Sequence, residues 1–131
     1  MGKSPVVHFE MPVKNKTRVS KFYTNTFGWN MIDSGPEMGN YLMAQTAETD
    51  ENNMVKTPGT INGGFFDYQD KPGYTTPHII ISVDNIDETI KKVKEEGGTV
   101  EGEKYNIMGI GDYVTVIDTE GNRVGVLQPK R

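Results

Sequence analysis

The chain has 131 residues, a mass of 14.6 kDa, a net charge of -4 and a pI near 5.2, with lysine and arginine scattered along it. That balance offers no basic face to nucleic acid or anionic lipid, and the size suits one domain or two small modules sharing a core. It has no cysteine, which excludes disulfides, a thiolate nucleophile and cysteine-held zinc, and no apolar run reaches the roughly 20 residues of a membrane helix.

In chain order, residues 6 to 13 alternate Val7, Phe9, Met11 and Val13 with His8, Glu10 and Pro12, the period of a half-buried strand whose second face carries chemistry. A helix is expected from Thr17 to Phe27, where Val19, Phe22, Tyr23 and Phe27 build an apolar stripe, and Gly28 stops it. Strands are expected over 29–33, 41–46 and 60–67. Between the last two, the polar segment AETDENNMVKTP (47–58) reads as a mobile solvated loop, with a lid over a cavity as the minor reading. Pro72, Gly73 and Pro77 mark a short linker over 69–76.

The pattern then restarts. Ile79, Ile81 and Val83 form one strand face and His78, Ile80 and Ser82 the other, and Asn85 with Glu88 forms a box-like start for a second helix closed by Gly97 and Gly98. Strands follow over 99–105, 113–118 and 122–128, with a hairpin turn at Asp118–Asn122. His8 and His78, Asn15 and Asn85, and Gly28 and Gly98 each keep one offset, 78 - 8 = 70 residues. The chain reads as one β-α-β-β-β unit used twice, an α+β fold.

The segments HFEMPVKN and FYTNTFGW, then HIIISVDNIDETIKKVKEEGG, then DTEGNRVGVLQP, in that order, resemble the vicinal oxygen chelate superfamily. That group takes in glyoxalase I, bleomycin-resistance proteins and extradiol dioxygenases. The resemblance runs from Val6 to Pro129 and is closest to small proteins described as predicted lactoylglutathione lyases. It implies one domain over 5–129 made of two βαβββ modules, 5–68 and 77–129, whose curved mixed sheets enclose a small-molecule cavity. It also implies a homodimer. A cytoplasmic location is expected, because MGKSPVVHFE has no apolar signal core.

Metal-dependent relatives, on this resemblance, hold a divalent ion with one side chain from the first strand of each module and one glutamate near each module's end. The strand positions match His8 and His78. The closing positions fall at Gly125 and in the stretch containing Gly63 and Gly64, so both carboxylates are expected to be lost. One replacement set is local: His8 and Glu10 share a strand face roughly 7 Å apart, and with His78 they would make a two-histidine, one-carboxylate site for zinc, nickel, iron or manganese. In that case Glu10 is also the candidate catalytic base. The plainer alternatives are hydrogen-bonding histidines, a Glu10–Arg123 ion pair, and no cofactor at all. Tyr41, Gly63, Tyr113 and Gly125 are the candidate cavity residues. Two functions stay open: a metal-dependent glyoxalase-like lyase or dioxygenase, and a metal-free protein that binds a small molecule.

Overall fold

Alternation decides the first strand. In β1 (Val6–Val13) the residues Phe9, Met11 and Val13 turn to one side and pack with Leu42, Ala44 and Phe65. Asn15 follows in extended conformation, and its side-chain oxygen accepts the Arg18 N–H at 2.9 Å, so α1 (Lys16–Phe27) starts one residue before the expected Thr17. Gly28, at φ 73°, ends the helix by donating its N–H to Thr24 O at 3.0 Å in a left-handed conformation that favours glycine. The computed structural model describes residues 2–130.

The first module continues through β2 (Asn30–Asp33), a 3-10 turn at Pro36–Met38 that the periodicity did not reveal, β3 (Leu42–Gln45) and β4 (Asn62–Asp67). Its strands lie in the order β2-β3-β4-β1, with β1 parallel to β4 and the other pairs antiparallel. Helix α1 lays Val19 and Tyr23 on the core of Val13, Leu42, Ala44 and Phe65, and Tyr23 stacks on Trp29 with ring centroids 4.5 Å apart. Phe65 is 1% exposed; burying such a ring contributes about 1.5–3 kcal/mol.

The segment 47–58 is a largely exposed loop with hydrogen bonds of its own. A bridge joins Thr49 to Val55, and Asp50 accepts the N–H groups of Asn52 at 2.8 Å and Met54 at 3.1 Å. The aspartate stands in for a missing backbone partner and folds the loop on itself.

The second module repeats the plan with β5 (His78–Ser82), α2 (Ile86–Glu95), β6 (Thr99–Ile107), β7 (Gly111–Ile117) and β8 (Arg123–Pro129), in the order β5-β8-β7-β6 with β5 parallel to β8. Strands β6 and β7 reach further than expected, to a turn at 108–110. Asn85 has the same backbone angles as Asn15, φ -139° and ψ 103°, and accepts the Glu88 N–H at 3.1 Å. The core here is Val83, Ile86, Val114, Val116 and Val126, closed by Ile90 and Val93 of the helix. Contacts divide the chain into His8–Pro77 and a second unit that runs from His78 and includes the residues up to Val7. The leading segment joins the latter by a hydrogen bond from Ser82 N–H to Pro5 O at 2.9 Å.

Candidate functional site

One face of each module's strands packs on its helix, and the candidate site residues lie on the opposite face. In the first module that face carries His8 and Glu10 of β1, both half-buried. Glu10 is the register partner of Gly64, and Gly64 is in turn the partner of Met43. Tyr41, two residues before Met43, therefore shares the face, and its hydroxyl lies 3.1 Å from His8 Nε2. Which of the two groups donates depends on the imidazole tautomer.

The glycine makes this arrangement possible. A Cβ built on Gly64 would fall inside the Tyr41 ring, against Cε2, Cζ and the hydroxyl oxygen. Its backbone is not in the left-handed region, so the requirement at Gly64 is room for the ring and not conformational freedom. Gly63 lies on the other side of the sheet, where the Phe9 ring closes over it among the helix-facing residues. Of the two adjacent glycines, Gly64 is the one on the face of Glu10 and Tyr41.

The second module contains the same device. Ile80 is the register partner of Gly125, as Glu10 is of Gly64. A Cβ on Gly125 would meet the Tyr113 hydroxyl, and would lie 2.9 Å from both Ile80 Cγ1 and Tyr113 Cε2. Tyr113 and Ile80 are buried, at 8% and 5% exposure. His78 precedes Ile80 by two residues, as His8 precedes Glu10, and is half-buried. The sequence left Gly63 and Gly64 undivided and did not reveal the tyrosine–glycine pairing. The available signal was the matching order of tyrosine and glycine in each half, Tyr41 before Gly64 and Tyr113 before Gly125.

Several other charged side chains form local pairs or turns. Arg123 gives its Nε to Glu101 at 2.8 Å, and Lys104 meets Asp87 at 2.8 Å, a contact that raises the lysine pKa. Asp118 is held below the ordinary carboxylate value, first by the Asn122 side chain and then by the N–H groups of Asn122 and Glu120, which fixes the hairpin turn expected there. Among the described residues, no group of three or more His, Cys, Asp or Glu side chains is gathered as a metal ion would need. No described helix is long and apolar enough to cross a membrane.

Residues 6–126 match the model of the Glyoxalase/Bleomycin resistance protein/Dioxygenase superfamily. The chain belongs to this superfamily. Among curated proteins it is similar to a probable lactoylglutathione lyase of Vibrio cholerae, 26% identical over 133 residues that cover 100% of this chain and 95% of the relative. A lactoylglutathione lyase of Salmonella typhimurium is likewise 26% identical over 128 residues, covering 95% and 93%. Among solved structures, a methylmalonyl-CoA epimerase of Streptomyces coelicolor aligns with TM-score 0.70 at 13% identity, covering 99% of this chain and 100% of the other. A hypothetical protein from Bacillus halodurans aligns with TM-score 0.69 at 16% identity, covering 99% and 97%. At these identities the structural likenesses establish the fold of this superfamily member and nothing finer.

Proposed function

We propose that this superfamily member binds a small organic molecule without an ion held in the family manner. The observation that carries the reading is the pair of buried glycines, Gly64 and Gly125, at the places where the resemblance puts the two carboxylates, each with a tyrosine ring in the space a side chain would need. A phenol is neutral near pH 7, with an ordinary pKa of about 10. In each module the family's carboxylate position is a glycine under a phenol ring and supplies no negative charge, which disfavours an ion held in the family manner. What the His8–Glu10–Tyr41 face offers a ligand is hydrogen bonding: an acceptor carboxylate beside a phenol–imidazole pair.

The test is metal content of untagged protein by elemental analysis, followed by zinc and nickel titration of the wild type and of a His8→Ala, His78→Ala variant. No stoichiometric uptake by the wild type is expected. Near-stoichiometric metal that the double variant loses would overturn the reading.

The second reading is a metal-dependent, lactoylglutathione lyase-like enzyme using His8, His78 and Glu10. It is favoured by the names of the two curated relatives, which extend over nearly the whole chain. Turnover of the glutathione adduct of an α-oxoaldehyde, dependent on added metal and lost in Glu10→Gln, would establish it. A homodimer and a cytoplasmic location accompany either reading, and light scattering after gel filtration checks the former.

A further inference from the structure

The repeat is an internal control for what the first module does not need in order to fold. At the offset of 70 residues (78 - 8), Phe22 and Phe27 of α1 correspond to Lys92 and Gly97 of the second module. Both phenylalanines stand at the surface, 54% and 61% exposed. They edge an aromatic group that runs outward from the core: Phe22 meets Tyr23 with ring centroids 5.0 Å apart, and Phe27 meets Trp29 at 6.1 Å. Arg18 lies one helical turn before Phe22 and Lys21 directly before it, both exposed. Lys14 sits over the Tyr68 ring and Lys16 beside Asp67, and α1 has no acidic residue. Neither Arg18 nor Lys21 has an ion-pair partner among the described residues.

The connection between the last two strands differs as well. In the second module β7 and β8 are joined by the tight turn at 118–122, whereas β3 and β4 are joined by 46–61. Most of the extra length is the loop closed by the Thr49–Val55 bridge, and it presents Glu48, Asp50 and Glu51 with Met54, which is 64% exposed. Asp50 is spent on the loop's own N–H groups, which leaves Glu48 and Glu51 as its exposed acidic charges.

The first module therefore departs from its copy twice, once with a basic aromatic face and once with an acidic loop that carries a methionine. The two are complementary in charge, a thioether packs well on aromatic rings, and arginine, aromatic residues and methionine are the types enriched at protein interfaces. Their exposure shows that neither is covered within one chain. We propose that they cover each other between two copies: the face of Arg18, Lys21, Phe22 and Phe27 on one receives the Glu48–Met54 loop of the other, and the reverse contact forms across a two-fold axis. An isologous pair of this kind closes on itself as a dimer. It forms whether or not the protein holds an ion.

Sedimentation of the full chain tests this interface. Wild type is expected to dimerise, and to do so more weakly in about 1 M salt, where the screening length falls to roughly 3 Å. Phe22→Lys, which copies the second module's residue, is expected to weaken the dimer about tenfold, the effect of losing an aromatic anchor. Arg18→Glu with Lys21→Glu, and separately Glu48→Lys with Glu51→Lys, are each expected to be monomeric alone and to pair when mixed, because each then supplies the charge the other needs. Wild type that stays monomeric at millimolar concentration would overturn the proposal together with the expectation of a homodimer, and would leave the face to a different protein. A dimer that neither Phe22→Lys nor the charge reversals weaken would overturn the proposal alone, as would charge-reversed proteins that fail to pair on mixing.

Discussion

The two modules carry the same four-part frame on the face away from their helices. In one it reads His8, Glu10, Gly64 and Tyr41, and in the other His78, Ile80, Gly125 and Tyr113. Histidine, glycine and tyrosine are common to both, and one position differs, Glu10 against Ile80. The shared part is a packing device, a phenol ring laid on bare backbone. The differing part separates the halves chemically: the second module buries its isoleucine and tyrosine, while the first keeps a carboxylate and a tyrosine that are half-buried. Repetition preserved the frame, and polarity was placed in one copy.

Exchanging the differing residues is the strongest way to break that comparison. Ile80→Glu puts a carboxylate at a position 5% exposed, and is expected to cost about 3–5 kcal/mol, the range for an uncompensated buried charge. Glu10→Ile, which copies the second module's own solution at a half-buried position, should change stability by only about 1 kcal/mol. Urea unfolding measures both. Equal losses would mean that the two faces are not alternative fillings of one frame.

The glycines come next. Gly125→Val forces a side chain between Ile80 and Tyr113, both buried, and should cost about 3 kcal/mol by overpacking. At Gly64 the obstructing Tyr41 is half-buried and has a way out, so Gly64→Val should cost about half as much. Adding Tyr41→Ala to Gly64→Val should recover part of that loss, because the two positions share one space. A larger loss at Gly64 than at Gly125 would reverse the assignment of the tighter half.

The helix caps sharpen the comparison at a smaller scale. Asn15→Ala is expected to cost about 1 kcal/mol. Asn85→Ala should cost less, because Gln128 Oε1 independently accepts the Ile86 N–H at 2.9 Å and still serves that helix start. The smallest effect is the pH dependence of the second module's hairpin. Asp118 is held below its ordinary value of 3.8, so its contribution is present above that pH and is lost as pH falls through the lower folded-state value. Asp118→Asn should remove this part of the acid-side slope, and an NMR titration of the wild-type carboxylate gives the folded value directly.

Much of the frame was legible in the chain. The 70-residue offset between histidines (78 - 8) and between capping asparagines (85 - 15) returned as identical cap geometry at Asn15 and Asn85. Strand alternation placed Phe9, Met11 and Val13 on the core correctly, because period two is a local property of extended backbone. The segment 47–58 is a largely exposed loop, as its polarity suggests, but composition says nothing of the hydrogen bonds Asp50 makes to Asn52 and Met54.

Sequence by itself determined the repeat, the α+β class, the family resemblance and the presence of glycine at the closing positions, because each is written in residue type and spacing along one strand or helix. Only the tertiary structure decided which of Gly63 and Gly64 faces Tyr41, and that a tyrosine ring occupies the place of a side chain at both Gly64 and Gly125. Those facts depend on the register between strands far apart in the chain, β1 with β4 and β5 with β8, and a one-residue slip would turn each of these side chains to the opposite face.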